Sequence, residues 1–207
     1  SAGLAVPDSI MLIVAPWCCG RNTSLISSMK EYNDRFYYLM MDETDIVTGR
    51  HLKKIPKAVE EICSVCPKKP SVVMICITCV DALLGTDMER VCKKAEEQVE
   101  IPVRPCYMYA LTREGRKPPM VHVRQSLYSL LEPGKKKGNV VNLLGFFSPL
   151  VDDCELYDLL HSAGIKTIHE ISRCRDFEEY KTMAEANFNL VLYQESRFAA
   201  EDFNDRL

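Results

Sequence analysis

The sequence predicts an α/β protein: a Rossmann-like parallel sheet with flanking helices, followed by the first part of a second α/β domain. Three observations carry this. Apolar runs of strand length alternate with amphipathic helical patterns along the chain, the signature of parallel α/β architecture. The clearest run, Ser71–Ile77, is β-branched and apolar on both faces, as a strand covered from both sides requires. The alternation then starts again after the loop-like run Pro133-Gly134-Lys135-Lys136-Lys137-Gly138, the best linker candidate. Two domains are therefore expected, over residues 1–134 and 139–207, the second incomplete because three short strands make a poor independent sheet.

The elements follow in order. Ile10–Ala15 is an apolar run bounded by turn residues, hence a buried strand. Asn22 and Thr23 are candidate N-caps for a helix reaching about Asn33. Phe36–Met41 is a second strand. A helix over His51–Ser64 aligns Leu52, Ile55, Val59, Ile62 and Cys63, with Pro56 weakening its first turn. Thr86 and Glu89 have capping-box spacing, and the helix after them carries Leu84, Met88, Val91, Cys92, Ala95 and Val99 on one stripe. Ile101–Cys106 is the fourth strand. In the second half, Val140–Phe146 is a strand. Asp152 and Glu155 open a helix with Leu156, Leu159, Leu160 and Ala163, ended by Gly164. Ile165–Ile168 is a strand, Asp176–Ala184 a helix, Asn189–Tyr193 a strand, and the last residues are helical.

Composition narrows the function classes. The 207 residues are 47% hydrophobic and 27% charged, globular rather than disordered, with a formal net charge of −3 that argues against nucleic acid as a partner. Charge is uneven: Leu111–Gly138 carries seven Lys/Arg against two Asp/Glu, whereas Asp152–Leu207 carries thirteen acids against six bases. Arg113–Pro119 and the lysine run both read as solvated loops. No apolar stretch reaches the roughly 18 residues of a membrane span, so no membrane partner is expected. Ile10–Pro16 lacks a basic leader and a cleavage site, so no secretion signal is expected either. The ten cysteines sit inside strand and helix patterns, which fits a reducing, cytoplasmic setting better than a disulfide scaffold.

The usual motifs are missing. There is no G-x-G-x-x-G, no Walker A, no H-E-x-x-H and no G-x-S-x-G, and the nine glycines are ungrouped. The catalytic residues stay unknown. His51, His122, His161 and His169 are scattered and read as packing or surface residues. Cysteines divide by position. Cys18 and Cys19 follow the first strand, Cys76 and Cys79 close the third, and Cys106 ends the fourth. Ligands in open α/β sheets bind beyond the carboxyl ends of the strands, which makes Cys19 and Cys79 the candidate metal ligands, with Cys18 beside them. Cys63 and Cys92 fall on apolar helix stripes and read as core, Cys66 as structural, and Cys154 and Cys174 suggest no partner. The C-x-x-C pairs Cys63/Cys66 and Cys76/Cys79 lack thioredoxin or zinc-finger context.

Four segments in order resemble the nitrogenase component 1 superfamily, which includes the molybdenum–iron protein subunits, their cofactor-assembly scaffold and the dark-operative protochlorophyllide reductase. Glu43-Thr44-Asp45-Ile46-Val47-Thr48-Gly49 is similar to the family's acidic D-I-V-x-G entry to a helix. Thr78-Cys79 through Gly85-Thr86-Asp87-Met88 resembles its strand-ending cysteine segment, and Ile101-Pro102-Val103 its next strand. Ala15-Pro16-Trp17-Cys18-Cys19 resembles its G-P-x-G-C loop and puts Cys19 on the cluster cysteine. The likeness covers about Ile10–Val103, with a weaker one over Val140–Leu207. The chain departs from the family where Cys18 replaces a glycine and where Cys106-Tyr107-Met108-Tyr109 replaces F-R-G. The segment that carries the third cluster cysteine and the third domain are not matched.

The resemblance implies a divergent, amino-terminal piece of such a protein. It implies an oxidoreductase that holds an iron–sulfur cluster, 4Fe–4S in type, through Cys19 and Cys79, with further ligands from Cys18, a partner subunit or a residue outside this sequence. An ATP-dependent iron–sulfur reductase would deliver the electrons for reducing an unidentified substrate. The implied partners are that reductase and a homologous second subunit or a second copy. The alternatives are an iron–sulfur or metallocofactor assembly scaffold and a cluster-less paralogue that binds a small molecule. Because only two cysteines match cluster positions, the chain alone is expected to carry no cluster.

Overall fold

The computed structural model describes residues 2–19, 21, 25, 33–107, 119–145 and 147–207. It is mixed α/β and forms two compact units, one of residues 1–4 and 8–123, the other of residues 5–7 and 124–207. The helix expected from Asn22 or Thr23 lies outside the described residues.

The first unit is a four-stranded, wholly parallel sheet of β1 (Ile10–Ala15), β2 (Phe36–Met40), β3 (Val73–Ile77) and β4 (Val103–Tyr107), in the order β2-β1-β3-β4. Every residue of β1 and β3 is buried, as an apolar run covered on both faces should be. Alternation splits their side chains. Ile10, Leu12, Val14, Val73, Ile75 and Ile77 join one core cluster with Ile55, Val59 and Ile62 of α2 (His51–Val65) and Met88, Cys92 and Ala95 of α4 (Met88–Val99). Met11, Ile13, Ala15 and Cys76 face the other way, with Leu4. The amino-terminal turn presses onto that face at Gly3, where a Cβ would meet Met11 Cε at 2.7 Å and Met74 Cβ at 3.1 Å. Arg35 ties it down, donating to the carbonyls of Ser9 at 2.7 Å and Leu4 at 3.0 Å.

Four local expectations are corrected. Glu43–Thr48 is itself a helix, α1, because Asp42 and Asp45 form a reciprocal capping box and Gly49 closes it at φ +65°. The cap of α4 is Asp87 rather than Thr86: its carboxylate accepts from Arg90 N at 3.1 Å, and a charged acceptor also suits the helix dipole. Between β3 and α4 lies a further short helix, α3 (Cys79–Leu84), ended by Gly85 at φ +64°. Cys92 is core, but Cys63 is only half-buried, since α2 turns it to the edge of the cluster beside Cys66, whose thiol meets Tyr37 Oη at 3.5 Å.

The second unit holds a parallel three-stranded sheet, β6-β5-β7, of β5 (Lys137–Leu144), β6 (Thr167–His169) and β7 (Ala186–Val191). The lysine run is not wholly linker: Lys137 and Gly138 begin β5, and Lys136 Nζ donates to the Ala184 carbonyl at 2.8 Å. Helix α5 (Pro119–Tyr128) carries the division between the units. Helix α6 (Glu155–Ser162) starts at Cys154, because Asp152 is engaged by Arg173 at 2.7 Å; the helix buries none of its residues, so its leucine stripe is not core here. Helices α7 (Phe177–Thr182) and α8 (Arg197–Arg206) complete the unit. Tyr180 donates from its buried hydroxyl to the Leu127 carbonyl, and Arg124 bonds Glu195 at 3.0 Å and the Gly145 carbonyl at 2.9 Å.

Candidate functional site

The two candidate ligands come from adjacent strands. The β1–β3 register pairs Val14 with Ile77, and since the strands are parallel their carboxyl ends lie side by side. Each strand then turns into a helical segment. After β1, Pro16 starts the turn that contains Trp17, Cys18 and Cys19, closed by a Cys19 N–H bond to the Pro16 carbonyl at 3.0 Å. Tyr38 of β2 clamps this turn, its hydroxyl reaching the Ala15 and Pro16 carbonyls at 3.0 and 2.6 Å, and Trp17 packs edge-on against the Tyr38 ring at 5.8 Å. After β3, Thr78 takes the N-cap position and Cys79 is the first residue of α3.

Cys18, Cys19 and Cys79 form a thiol group at this edge. The Cys18 and Cys19 sulfurs are 3.9 Å apart and both residues are exposed, while Cys79 is half-buried. The Cys19 thiol is held above its ordinary pKa by burial first, then by the Cys18 and Cys79 thiols beside it, whose anions would repel its own. Three buried cysteines behave differently. Burial pushes Cys106 up to about 11 and Cys92 up to about 12, and Cys76 higher still, so these thiols stay protonated in the core.

The donor chemistry suits a soft metal or an iron–sulfur centre, which take thiolates. Among the described residues, no group of three or more His, Cys, Asp or Glu side chains could hold a metal ion. The Cys18, Cys19 and Cys79 thiols therefore do not by themselves make a metal site. On either side of Cys79, Thr78 Oγ1 and Asp81 Oδ2 are buried without a hydrogen-bond partner among the described residues. Such orphans are rare and often mark places where water, an ion or a functional group belongs.

A buried polar chain backs this site. His51, at the start of α2, shows 1% of its side chain to solvent, as does Asp81 of α3, and its Nε2 lies 3.1 Å from Asp81 Oδ1. His51 Nδ1 meets the Asp45 carbonyl at 3.1 Å. The buried Asp45 carboxylate accepts from Lys54 at 2.6 Å and Arg50 at 3.2 Å, and the Lys54 ammonium is the main reason its carboxyl sits below the usual range. Asp81 is shifted the opposite way, since burial outweighs the attraction of His51. Neither His51 nor Asp81 stands out by motif. The available signal was spacing: His51, Ile55, Val59 and Ile62 fall on one helical stripe, which places the histidine among core residues.

The sequence matches the family "Nitrogenase component 1 type Oxidoreductase" over residues 1–207. It is similar to the nitrogenase iron-molybdenum cofactor biosynthesis protein NifE of a Nostoc species, 28% identical over 195 residues covering 90% of this chain and 40% of the relative. The NifE protein of Methanosarcina barkeri is 27% identical over 205 residues, covering 90% and 43%. The structure resembles nitrogenase Cp1 at pH 5 with a TM-score of 0.72 at 18% identity, covering 98% of this chain and 45% of that one. The chain therefore spans less than half the length of these proteins. No helix among the described residues is long and apolar enough to cross a membrane. On the match along its whole length, the chain belongs to the nitrogenase component 1 type oxidoreductase family.

Proposed function

We propose that this chain supplies the thiolate side of an iron–sulfur or related metallocofactor site in a protein that holds the cofactor during its assembly. The observation that carries the reading is the meeting of the Cys18, Cys19 and Cys79 thiols at the carboxyl edge shared by β1 and β3. Cys19 and Cys79 act as ligands, with Cys18 as a third donor. When bound, such a group supplies a one-electron centre or a transferable metal–sulfur unit. The protein's part is to fix the thiols on two rigid strand ends and to exclude water from one side. The remaining donors come from a homologous second subunit or a second copy. The same edge exposes Trp17 (66%) and Leu83 (74%), large apolar side chains suited to being covered by such a neighbour.

The assembly role is favoured over reduction of a substrate because the curated relatives named above are cofactor biosynthesis proteins. The reductive role, with an ATP-dependent iron–sulfur reductase as electron donor, draws on the oxidoreductase character of the family. The deciding experiment uses the whole protein carrying this chain, purified without oxygen. Tight binding of a cluster precursor that is released to an acceptor supports assembly. Steady-state ATP-dependent turnover with a reductase partner would overturn it in favour of the enzyme.

A further inference from the structure

We propose that His51 and Asp81 are positioning residues that fix the Cys79 thiol at Cys19. The inference rests on the reading of Cys79 as a donor, and it begins with how little else secures Cys79. Helix α3 is six residues long, its Thr78 N-cap makes no side-chain capping bond, and Leu83 and Leu84 point to solvent. Val80 packs partly on the core, and Asp81 is the one residue of the helix that is fully buried. Its carboxylate reaches His51 across 3.1 Å, and His51 is held in turn by the Asp45 carbonyl of the capped helix α1. The Cys79 turn is thus tied through two side chains to the start of α2. On the other side Tyr38 clamps the Pro16 turn that carries Cys19. Each arm of the thiol group has its own polar anchor.

Fold stability alone does not call for this pair. Replacing both partners of a buried polar pair by apolar side chains of similar volume is often neutral or stabilising. The polar tie fixes a direction, which an apolar contact in this short helix would not. It does so two residues from the cysteine, within the same helical turn.

The test measures thiol geometry without any cofactor. In a Cys18→Ser background, oxidised glutathione drives a Cys19–Cys79 disulfide: both thiols lose their protons, the sulfurs join, and the two electrons reduce the glutathione disulfide. His51→Leu should slow this crosslink on the order of tenfold or more, since intramolecular rates fall steeply with misplacement. His51→Gln, which keeps a donor toward Asp81, should restore it to within about twofold. Where His51→Leu does not fold, the double variant His51→Leu/Asp81→Leu replaces both polar groups together and should show the same slowing. Unreactive Cys92 serves as the check that the core is intact. Unchanged crosslinking in a folded variant lacking the tie overturns the proposal. Cadmium titration, read by thiolate-to-metal charge-transfer absorption, separates the underlying reading. If Cys79→Ala leaves that absorption intact, Cys79 is not a donor, whatever the crosslinking shows.

Discussion

Cutting the His51–Asp81 pair from its two ends should cost unequal amounts. The structure sets the asymmetry. In Asp81→Ala, His51 loses its Nε2 partner but keeps the Asp45 carbonyl on Nδ1, so one buried polar atom is stranded. That costs about 1–3 kcal/mol, partly offset because the orphaned Asp81 Oδ2 disappears too. In His51→Leu, the Asp81 carboxylate remains at 1% exposure and loses its His51 partner, with only the Thr86 side chain left beside it. Stranding a buried charge costs about 3–5 kcal/mol. The double variant His51→Leu/Asp81→Ala should therefore be more stable than His51→Leu alone by about 2 kcal/mol, a positive coupling of the size expected for contacting groups. Urea unfolding near neutral pH, followed by fluorescence of Trp17, reads this directly, since Trp17 is the only tryptophan and belongs to the first unit. Equal costs for the two single variants, or additive costs in the double, would refute the argument that Asp81 depends on His51.

Further predictions follow from the same geometry. A thiol-exchange reagent at neutral pH should modify Cys18 and Cys19 first and reach Cys76, Cys92 and Cys106 only on unfolding; early loss of Cys92 would contradict the assigned core. Because folding raises the Cys106 thiol to about 11 and Cys92 to about 12, against about 8.5 for a free thiol, the folded chain keeps protons that the unfolded chain releases. The stability they contribute is whole below about pH 8.5 and is lost as pH rises toward 11–12, so urea midpoints should fall across that window and not below it. Ile75→Ala, in the fully buried centre of β3, should cost about 2–5 kcal/mol in the first unit by the same Trp17 assay.

Much of the fold was legible because its strands are apolar on both faces. Ser71–Ile77 and Ile10–Ala15 admit little else, and their order with the helical stripes leads to a parallel sheet. The short helices were less so. α1 depends on a reciprocal bond between Asp42 and Asp45, and α3 has six residues and no side-chain cap, so neither has the periodicity of a long helix. The positions of Cys19 and Cys79 relative to their strands could be read from the sequence, whereas the thiol-to-thiol approach is a tertiary result. The His51–Asp81 pair joins residues thirty positions apart and has no local signature. The stripe of α6 misled because helical periodicity marks an apolar face without saying what covers it.

The central claim is that the thiols of Cys19 and Cys79 hold a cluster. It is tested most directly by the iron and acid-labile sulfide content of the protein carrying this chain, isolated without oxygen, in wild-type, Cys19→Ala and Cys79→Ala forms. The account predicts iron and sulfide in roughly equal amounts in the wild type, as iron–sulfur clusters contain them. It predicts loss of both in each variant, with the first unit still folded by Trp17 fluorescence. Full iron occupancy in both variants would contradict it.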